Sequence, residues 1–352
     1  MLFTKRKYDF VYLTNTPSFY KINLCNEIAK RKSVLLVLYG YGTEAVNANL
    51  EYQNDYDFDF VFLFNGNTAK RNKFNVLLKL FHLMINIDCK AILYTGWYVP
   101  EYIIYSFFSP KKKNVLVCES STESNISGIK GFVKRVIINR MYAALASGTP
   151  HSDLLLQLGF KGLVIKTGGV GIINKVKKNE NDPKILGLPL KYLFIGRLTE
   201  VKNIELLISE FNESGKLLTI VGKGELESFL KRIAKPNISF YGFIDNKNLF
   251  DVYKNHDVFV LPSKSEPWGL VIDEALYFGL PVIVSNKVGS AIDLVKIPQT
   301  GCIFQLDVKD SLKDAIIRME SSYHFFKKNV DNMNFCERDR VQINSYNQLL
   351  NA

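Results

Sequence analysis

Residues 260–283, VLPSKSEPWGLVIDEALYFGLPVI, show the pattern from which we predict the fold class. It begins at the end of an apolar run, crosses a polar loop, becomes helical in pattern near Leu270, and ends in a second apolar run after Pro281. Strands that are apolar on both faces and alternate with helices indicate a parallel sheet covered on both sides. The stretch therefore predicts one strand–helix–strand unit of a doubly wound α/β sheet.

The same rhythm continues in both directions along the chain. It predicts helices at 19–31, 74–84 and 131–146. The predicted strands are 9–13, 34–39, 59–64, 91–94, 115–118, 163–166, 192–195, 217–221, 238–241, 258–261, 282–284 and 302–304. Two such halves predict two doubly wound, Rossmann-like domains that face each other across a ligand-binding cleft.

We divide the chain into an N-terminal domain at 1–170, a second domain at 171–333, and a C-terminal helix at 334–352. The polar stretch 174–184 is typical of a surface linker. In the last segment Val341, Ile343, Tyr346 and Leu349 recur at helical spacing. This pattern predicts an amphipathic helix.

Positive charge is concentrated in the first half of the chain. The 352 residues contain 45 Lys and Arg against 34 Asp and Glu, a net charge of +11. Residues 1–175 contain 22 basic and 12 acidic side chains, a net +10, and the remainder contains 23 and 22, a net +1. An apolar content of 47% excludes wholesale disorder. The asymmetry instead indicates an anionic partner for the first half.

The cysteines and the apolar segments restrict the class of protein. The five cysteines are scattered, odd in number and never spaced as C-x-x-C, which favours reduced thiols in a cytoplasmic protein over zinc clusters or disulfides. The N-terminus lacks the apolar core of a signal peptide. The best apolar candidate for a membrane span, 98–108, is interrupted by Pro100 and Glu101.

A pair of cations follows the predicted strand 192–195. Arg197 and Lys202 lie five residues apart after Gly196, which permits a tight exit from the strand. Arginine supplies a bidentate fork and lysine a point charge, a combination that suits a diphosphate. Taken alone, however, the two are explained better as solvated surface charges.

The next strand ends in IVGKGELE, with Gly222 and Gly224 at a strand-to-helix turn. Glycine lets the backbone approach a phosphate or a ring closely, and a following helix offers free amide donors. A plain tight turn explains the pattern nearly as well.

The loop before the helix at Leu270 carries the most informative side chains. The amides of Gly269 and Leu270 form the start of a helix, which attracts anions. Glu274 shares the face of Leu270, and Glu266 lies in the preceding loop. Two carboxylates eight residues apart on either side of an anion-binding turn can hold the hydroxyl groups of sugars.

With these residues in place, 192–304 resembles the donor-binding domain of the retaining family 4 glycosyltransferases of the GT-B fold. That family's motifs occur here in order: Gly196–Arg197–Leu198 with Lys202, Gly222 with Gly224, Glu266 with Glu274, and 279–283. The resemblance implies that Arg197 and Lys202 hold the donor diphosphate, Glu274 the ribose and Glu266 the transferred sugar. The remaining donor contacts that it implies are Gly269, Leu270, Gly222, Gly224 and Phe243.

The first half resembles the family less closely. The loop after the first strand, 14–20, contains no glycine, and Trp97 stands where some members have a histidine. Ser18, Trp97, Glu119 and Glu123 are our acceptor-side candidates, although simple loop acids explain the two glutamates equally well.

Asp55, Asp57 and Asp59 form a D-x-D pattern, but they precede a strand instead of following one. We therefore predict no metal and no resident cofactor; the cations would stabilise the leaving diphosphate.

Together these features predict a metal-independent, retaining glycosyltransferase that uses a UDP- or GDP-sugar. The acceptor is expected to be a saccharide, linked to polyprenyl diphosphate, in bacterial O-antigen or capsule synthesis. The basic first half would hold the enzyme on the anionic inner face of the membrane, and nucleic acid is not expected as a partner. A non-catalytic GT-B partner subunit and a nucleotide-sugar epimerase remain as alternatives.

Overall fold

The computed structural model describes residues 5–40, 56–64, 66, 70–121, 126–175, 189–245 and 248–351. The chain forms two compact units. Unit 1 comprises Met1–Asn174 together with Cys336–Ala352, and unit 2 comprises Lys175–Phe335. Glu123 and Asp55 lie outside the described residues, as does most of the predicted linker.

Unit 1 is built on a parallel sheet with the strand order β3-β2-β1-β4-β5-β6-β7. Its strands are rich in β-branched and aromatic residues, and most are buried on both faces because helices cover the sheet on both sides. They are β1 Arg6–Thr14, β2 Val34–Leu38, β3 Asp59–Phe62, β4 Ile87–Thr95, β5 Asn114–Cys118, β6 Ala143–Ala146 and β7 Leu163–Lys166. The helices are α1 Phe19–Ala29, α2 Lys73–Ile85, α3 Pro100–Phe108, α4 Gly128–Ile138 and α5 Thr149–Gln157.

Unit 2 repeats the design with the order β10-β9-β8-β11-β12-β13. Its strands are β8 Lys191–Ile195, β9 Leu217–Val221, β10 Ile238–Phe240, β11 Val258–Leu261, β12 Val282–Ser285 and β13 Gly301–Phe304. Its helices are α6 Ile204–Ser214, α7 Glu227–Ile233, α8 Leu249–Lys254, α9 Leu270–Tyr277, α10 Ser311–Ser321 and α11 Tyr323–Asp331, with a π-helix at Ala291–Lys296. The prediction of two doubly wound, Rossmann-like sheets is confirmed.

One predicted helix, 131–146, is wrong. The helix α4 ends at Ile138, and Ala143–Ala146 forms β6, which pairs with β5 on one side and β7 on the other. Alanine favours helices, so its local preference suggested one. Pairing with β5 and β7 and complete burial override that preference.

The last helix, α12 at Phe335–Gln348, places its buried face in unit 1. Tyr346 is buried, and its ring centroid lies 6.4 Å from that of Tyr12 on β1. Leu349 joins the same core, whereas Val341 is exposed. No helix among the described residues is long and apolar enough to cross a membrane.

Candidate functional site

The donor motifs converge at one edge of the sheet of unit 2. In this sheet β8 pairs with β9 on one side and with β11 on the other, so the strand order reverses at β8. Ligands of doubly wound sheets bind beyond the carboxyl ends of the strands at such a reversal. Arg197 and Lys202 follow β8, Gly222 follows β9 and Glu266 follows β11.

The two glycine-containing loops pack backbone against backbone. Gly222 has a φ of +141°, and a Cβ added there would lie 1.8 Å from the carbonyl oxygen of Gly196. A Cβ on Gly224 would lie 2.3 Å from the carbonyl oxygen of Leu198, whose amide donates to Lys223 at 2.9 Å. Both glycines are therefore required by the close approach of the two loops.

A lysine and a glutamate form the charged centre of this edge. The ammonium of Lys202 donates to the carboxylate of Glu266 in a short ion pair, and each side chain is 15% exposed. Arg197 is exposed, and its guanidinium makes no ion pair within the described ranges. The ion pair of Lys202 and Glu266 thus lies at the same edge as the exposed guanidinium of Arg197, which can accept an anion.

The loop that carries Glu266 is fixed by its backbone. The Glu266 amide donates to the carbonyl of Lys287 at 3.1 Å, and its carbonyl accepts from Gly289 at 2.8 Å. Gly269 has a φ of +92°, and an added Cβ would lie 3.2 Å from Cγ of Glu266. A side chain at this position would therefore be strained and would press on the Cγ methylene of Glu266.

Glu274 lies on α9 and is deeply buried, with 5% of its surface exposed. Its Oε2 accepts a hydrogen bond of 3.1 Å from the hydroxyl of Tyr253, whose ring stacks on Phe278. Burial raises the pKa of Tyr253 well above its ordinary value, and the neighbouring carboxylate adds to this effect. The tyrosine is therefore a constant hydrogen-bond donor that holds Glu274 in place.

Leu270 and Phe243 are two further residues that we predict to contact the donor. Leu270 is the first residue of α9. The carbonyl of Gly242 accepts from the amide of Gly222 at 2.6 Å, and this bond brings the turn that carries Phe243 next to the glycine loop. The ring of Phe243 is exposed, which suits the stacking of a flat base.

Unit 1 has a pocket of about 180 Å³ at the equivalent place, where its strand order reverses at β1. It contains Ser18 and Glu119, two of the four acceptor candidates. Trp97 is not among its lining residues: the ring packs on the core, with the ammonium of Lys134 5.3 Å from its centroid. The lining residues are Thr14, Asn15, Thr16, Ser18, Tyr20, Lys21, Thr95, Gly96, Tyr98, Glu119 and Ser120.

Sequence reasoning missed Lys21 of this pocket. The residue lies within α1, where a lysine usually points to solvent, yet it is buried against Glu119. No local signal identifies it, since its partner is 98 positions away. Asp59 of the D-x-D pattern accepts from the hydroxyl of Tyr8 at 2.7 Å and pairs with Arg6 at 3.1 Å, which gives it a structural role.

Residues 175–333 match the family model described as "Glycosyl transferases group 1". The uncharacterized glycosyltransferase MJ1607 of Methanocaldococcus jannaschii is 33% identical over 149 residues, which cover 40% of this chain and 38% of that protein. The uncharacterized 41.2 kDa protein in the cps region of Klebsiella pneumoniae is 25% identical over 278 residues, 74% of this chain and 73% of that one.

Among solved structures, Anabaena Alr3699/HepE in complex with UDP-glucose superimposes with a TM-score of 0.70 at 15% identity, covering 98% of each chain. At that identity the similarity shows the fold alone, and the fold is that of the GT-B glycosyltransferases. The motifs after β8, β9 and β11 all lie within the part that matches the family model. Residues 175–333 of this chain, which carry these motifs, are therefore similar to the glycosyl transferases group 1 family.

Proposed function

We propose that this chain is a retaining glycosyltransferase that moves a hexose or an N-acetylhexosamine from a UDP- or GDP-sugar to a saccharide acceptor. The observation that carries the proposal is the grouping of Arg197, Lys202 and Glu266 at the strand-order reversal of unit 2. The guanidinium of Arg197 and the ammonium of Lys202 suit the diphosphate of a nucleotide-sugar, and the carboxylate of Glu266 suits a sugar hydroxyl.

In this mechanism catalysis is stabilisation of a leaving group. When the bond between the sugar and the diphosphate breaks, negative charge grows on the phosphate oxygens while the sugar becomes oxocarbenium-like. The guanidinium of Arg197 and the ammonium of Lys202 would meet that charge without the help of a metal. Glu266 would hold the sugar and keep Lys202 oriented through their ion pair.

We infer retention of anomeric configuration from the family 4 resemblance. The acceptor hydroxyl would attack from the face that the diphosphate leaves, and a phosphate oxygen would take the hydroxyl proton. Proton NMR of the first product reports the anomeric coupling constant directly. A product with the inverted anomer would contradict this mechanism.

The donor assignment is tested by thermal shift with a panel of UDP-, GDP- and ADP-sugars. A compound at 100 times its Kd stabilises the folded chain by about 2.7 kcal/mol. We expect a shift with UDP- or GDP-sugars, and the variant Arg197→Ala should lose it. The exposed Arg232→Ala on α7 of the same unit is the matched control and should retain the shift. An unchanged shift in Arg197→Ala would refute the diphosphate assignment.

We also propose that α4 holds the enzyme on an anionic membrane, where a lipid-linked acceptor would be found. The helix exposes Ile129 (83%) and Phe132 (65%) beside Lys130 and Arg135. Apolar side chains among cations are typical of helices that lie in the membrane interface, and each cation near an anionic surface contributes about 1 kcal/mol. The similarity to the protein in the cps region of Klebsiella pneumoniae supports this proposal.

Co-sedimentation with phosphatidylglycerol vesicles at low salt tests the membrane proposal. Binding should fall strongly in the double variant Ile129→Ser and Phe132→Ser. The control is Leu156→Ser, an exposed leucine on α5 of the same unit. Equal binding of the α4 variant and the control would exclude α4 as the membrane face.

A further inference from the structure

The pocket of unit 1 contains a buried ion pair. The side chain of Lys21 is 6% exposed, and its ammonium lies 3.1 Å from Oε1 and 3.4 Å from Oε2 of Glu119. It also lies 3.5 Å from the hydroxyl of Thr14 at the end of β1. Burying such a pair commonly costs as much free energy as the attraction returns. Stability alone is therefore a weak reason for its presence.

Lys21 acts as a fixed charge in this pair. Burial lowers the pKa of Lys21, but the Glu119 carboxylate outweighs this effect, and the net pKa lies above the ordinary value. The ammonium is therefore fully protonated at neutral pH and cannot serve as a base. Its role is to hold the carboxylate in one position.

Glu119 has unused capacity for hydrogen bonds on the pocket side. An ionised carboxylate offers about four acceptor positions, and the ammonium of Lys21 occupies only those that it faces. The Glu119 side chain remains 24% exposed and lines the pocket. Two serines, Ser18 and Ser120, and two tyrosines, Tyr20 and Tyr98, also line it. Hydroxyls and aromatic rings around one carboxylate are suited to the hydroxyls and the C–H face of a sugar.

We propose that this pocket binds the terminal sugar of the acceptor as a neutral pyranose, with Glu119 accepting hydrogen bonds from two adjacent ring hydroxyls and Lys21 as its positioning residue. The inference rests on the proposed function, because it names the class of acceptor for that reaction. A cavity of about 180 Å³ can hold one pyranose ring. A uronic acid would bring a second carboxylate towards Glu119, whose counter-charge is already used, so anionic sugars are disfavoured.

The experiment is saturation-transfer NMR on the full chain at neutral pH. The probes are the methyl pyranosides of glucose, galactose, mannose and N-acetylglucosamine, with methyl glucuronide as the anionic comparison. We expect at least one neutral probe to bind, and its Kd to rise about tenfold or more in Glu119→Gln and in Lys21→Met. Lys21→Arg should restore part of the affinity because it keeps the charge.

The matched control is the double variant Glu27→Gln and Lys30→Met. These residues form an exposed ion pair of 2.6 Å at the C-terminal end of α1, the helix that also carries Lys21. The control should bind the neutral probe as the wild type does. If Lys21→Met does not fold, Glu119→Gln and Lys21→Arg decide the question.

Several results would overturn the inference: no neutral probe binds the wild type, Glu119→Gln binds the probe unchanged, or the glucuronide binds more tightly. Thermal shift with UDP- and GDP-sugars is run on every variant to separate the two proposals. If Glu119→Gln keeps its thermal shift with the nucleotide-sugar and also binds the pyranoside unchanged, only the acceptor assignment is overturned. A wild type that responds to no nucleotide-sugar overturns the proposed function and this inference with it.

Discussion

At the scale of single residues, Gly222 shows why a weak motif can still be decisive. A lone pair of glycines at a turn is a common pattern, yet the backbone here combines a φ of +141° with a carbonyl 1.8 Å from where a Cβ would stand. A side chain at Gly222 would therefore force the loop after β9 away from the loop after β8, which carries both Arg197 and Lys202. The identity of this residue is fixed by the loop that it meets, which is invisible in the local sequence.

Gly222→Ala should destabilise unit 2 by at least about 2 kcal/mol, since strained backbone and a steric clash act together. Gly215→Ala provides the control for strain alone, because Gly215 has a φ of +68° but nothing within 4 Å of an added Cβ. Its cost should be about 1 kcal/mol. Urea unfolding of the two variants measures both. Equal losses of unfolding free energy in the two variants would show that the loops after β8 and β9 can move apart without destabilising the unit.

At the scale of elements, the sequence predicted the strands well because their apolar runs are continuous. The runs 217–221 and 258–261 coincide with β9 and β11, and the motifs that we assign to the donor lie in the loops that follow them. The strand β6 was missed because four short apolar residues do not distinguish a strand from a helix. Lys21 was missed for a different reason: its role depends on a contact between α1 and the end of β5.

The helix α9 accepts a buried hydrogen bond from the neighbouring helix α8. Tyr253 on α8 donates to Glu274 on α9, and both side chains are buried. Tyr253→Phe should lower the free energy of unfolding by about 1–3 kcal/mol, because a buried carboxylate oxygen loses its donor. Tyr241→Phe, at an exposed tyrosine of the same unit, should leave stability within about 0.5 kcal/mol. If both variants unfold at the same urea concentration, the bond contributes no stability.

At the scale of the whole molecule, burial in the two units protects four of the five thiols. Cys25 and Cys118 lie in the core of unit 1 and Cys302 in that of unit 2, whereas Cys336 on α12 is exposed. Burial raises the pKa of Cys25 and Cys118 to about 12 and that of Cys302 to about 11. These thiols remain neutral, and a neutral thiol is a poor nucleophile.

An Ellman titration of the native chain at pH 8 should therefore detect one thiol, and the chain in guanidinium should release all five. Cys336→Ser should abolish the native signal and leave four reactive thiols in the unfolded chain. Rapid reaction of more than one native thiol would contradict the burial of the other side chains.

The raised pKa values of Cys25 and Cys118 also determine how the free energy of unfolding changes with pH. Below pH 9 both states hold the thiol protons, so the stabilisation is complete. As the pH rises from about 9 towards 12, only the unfolded state releases them, and the free energy of unfolding falls.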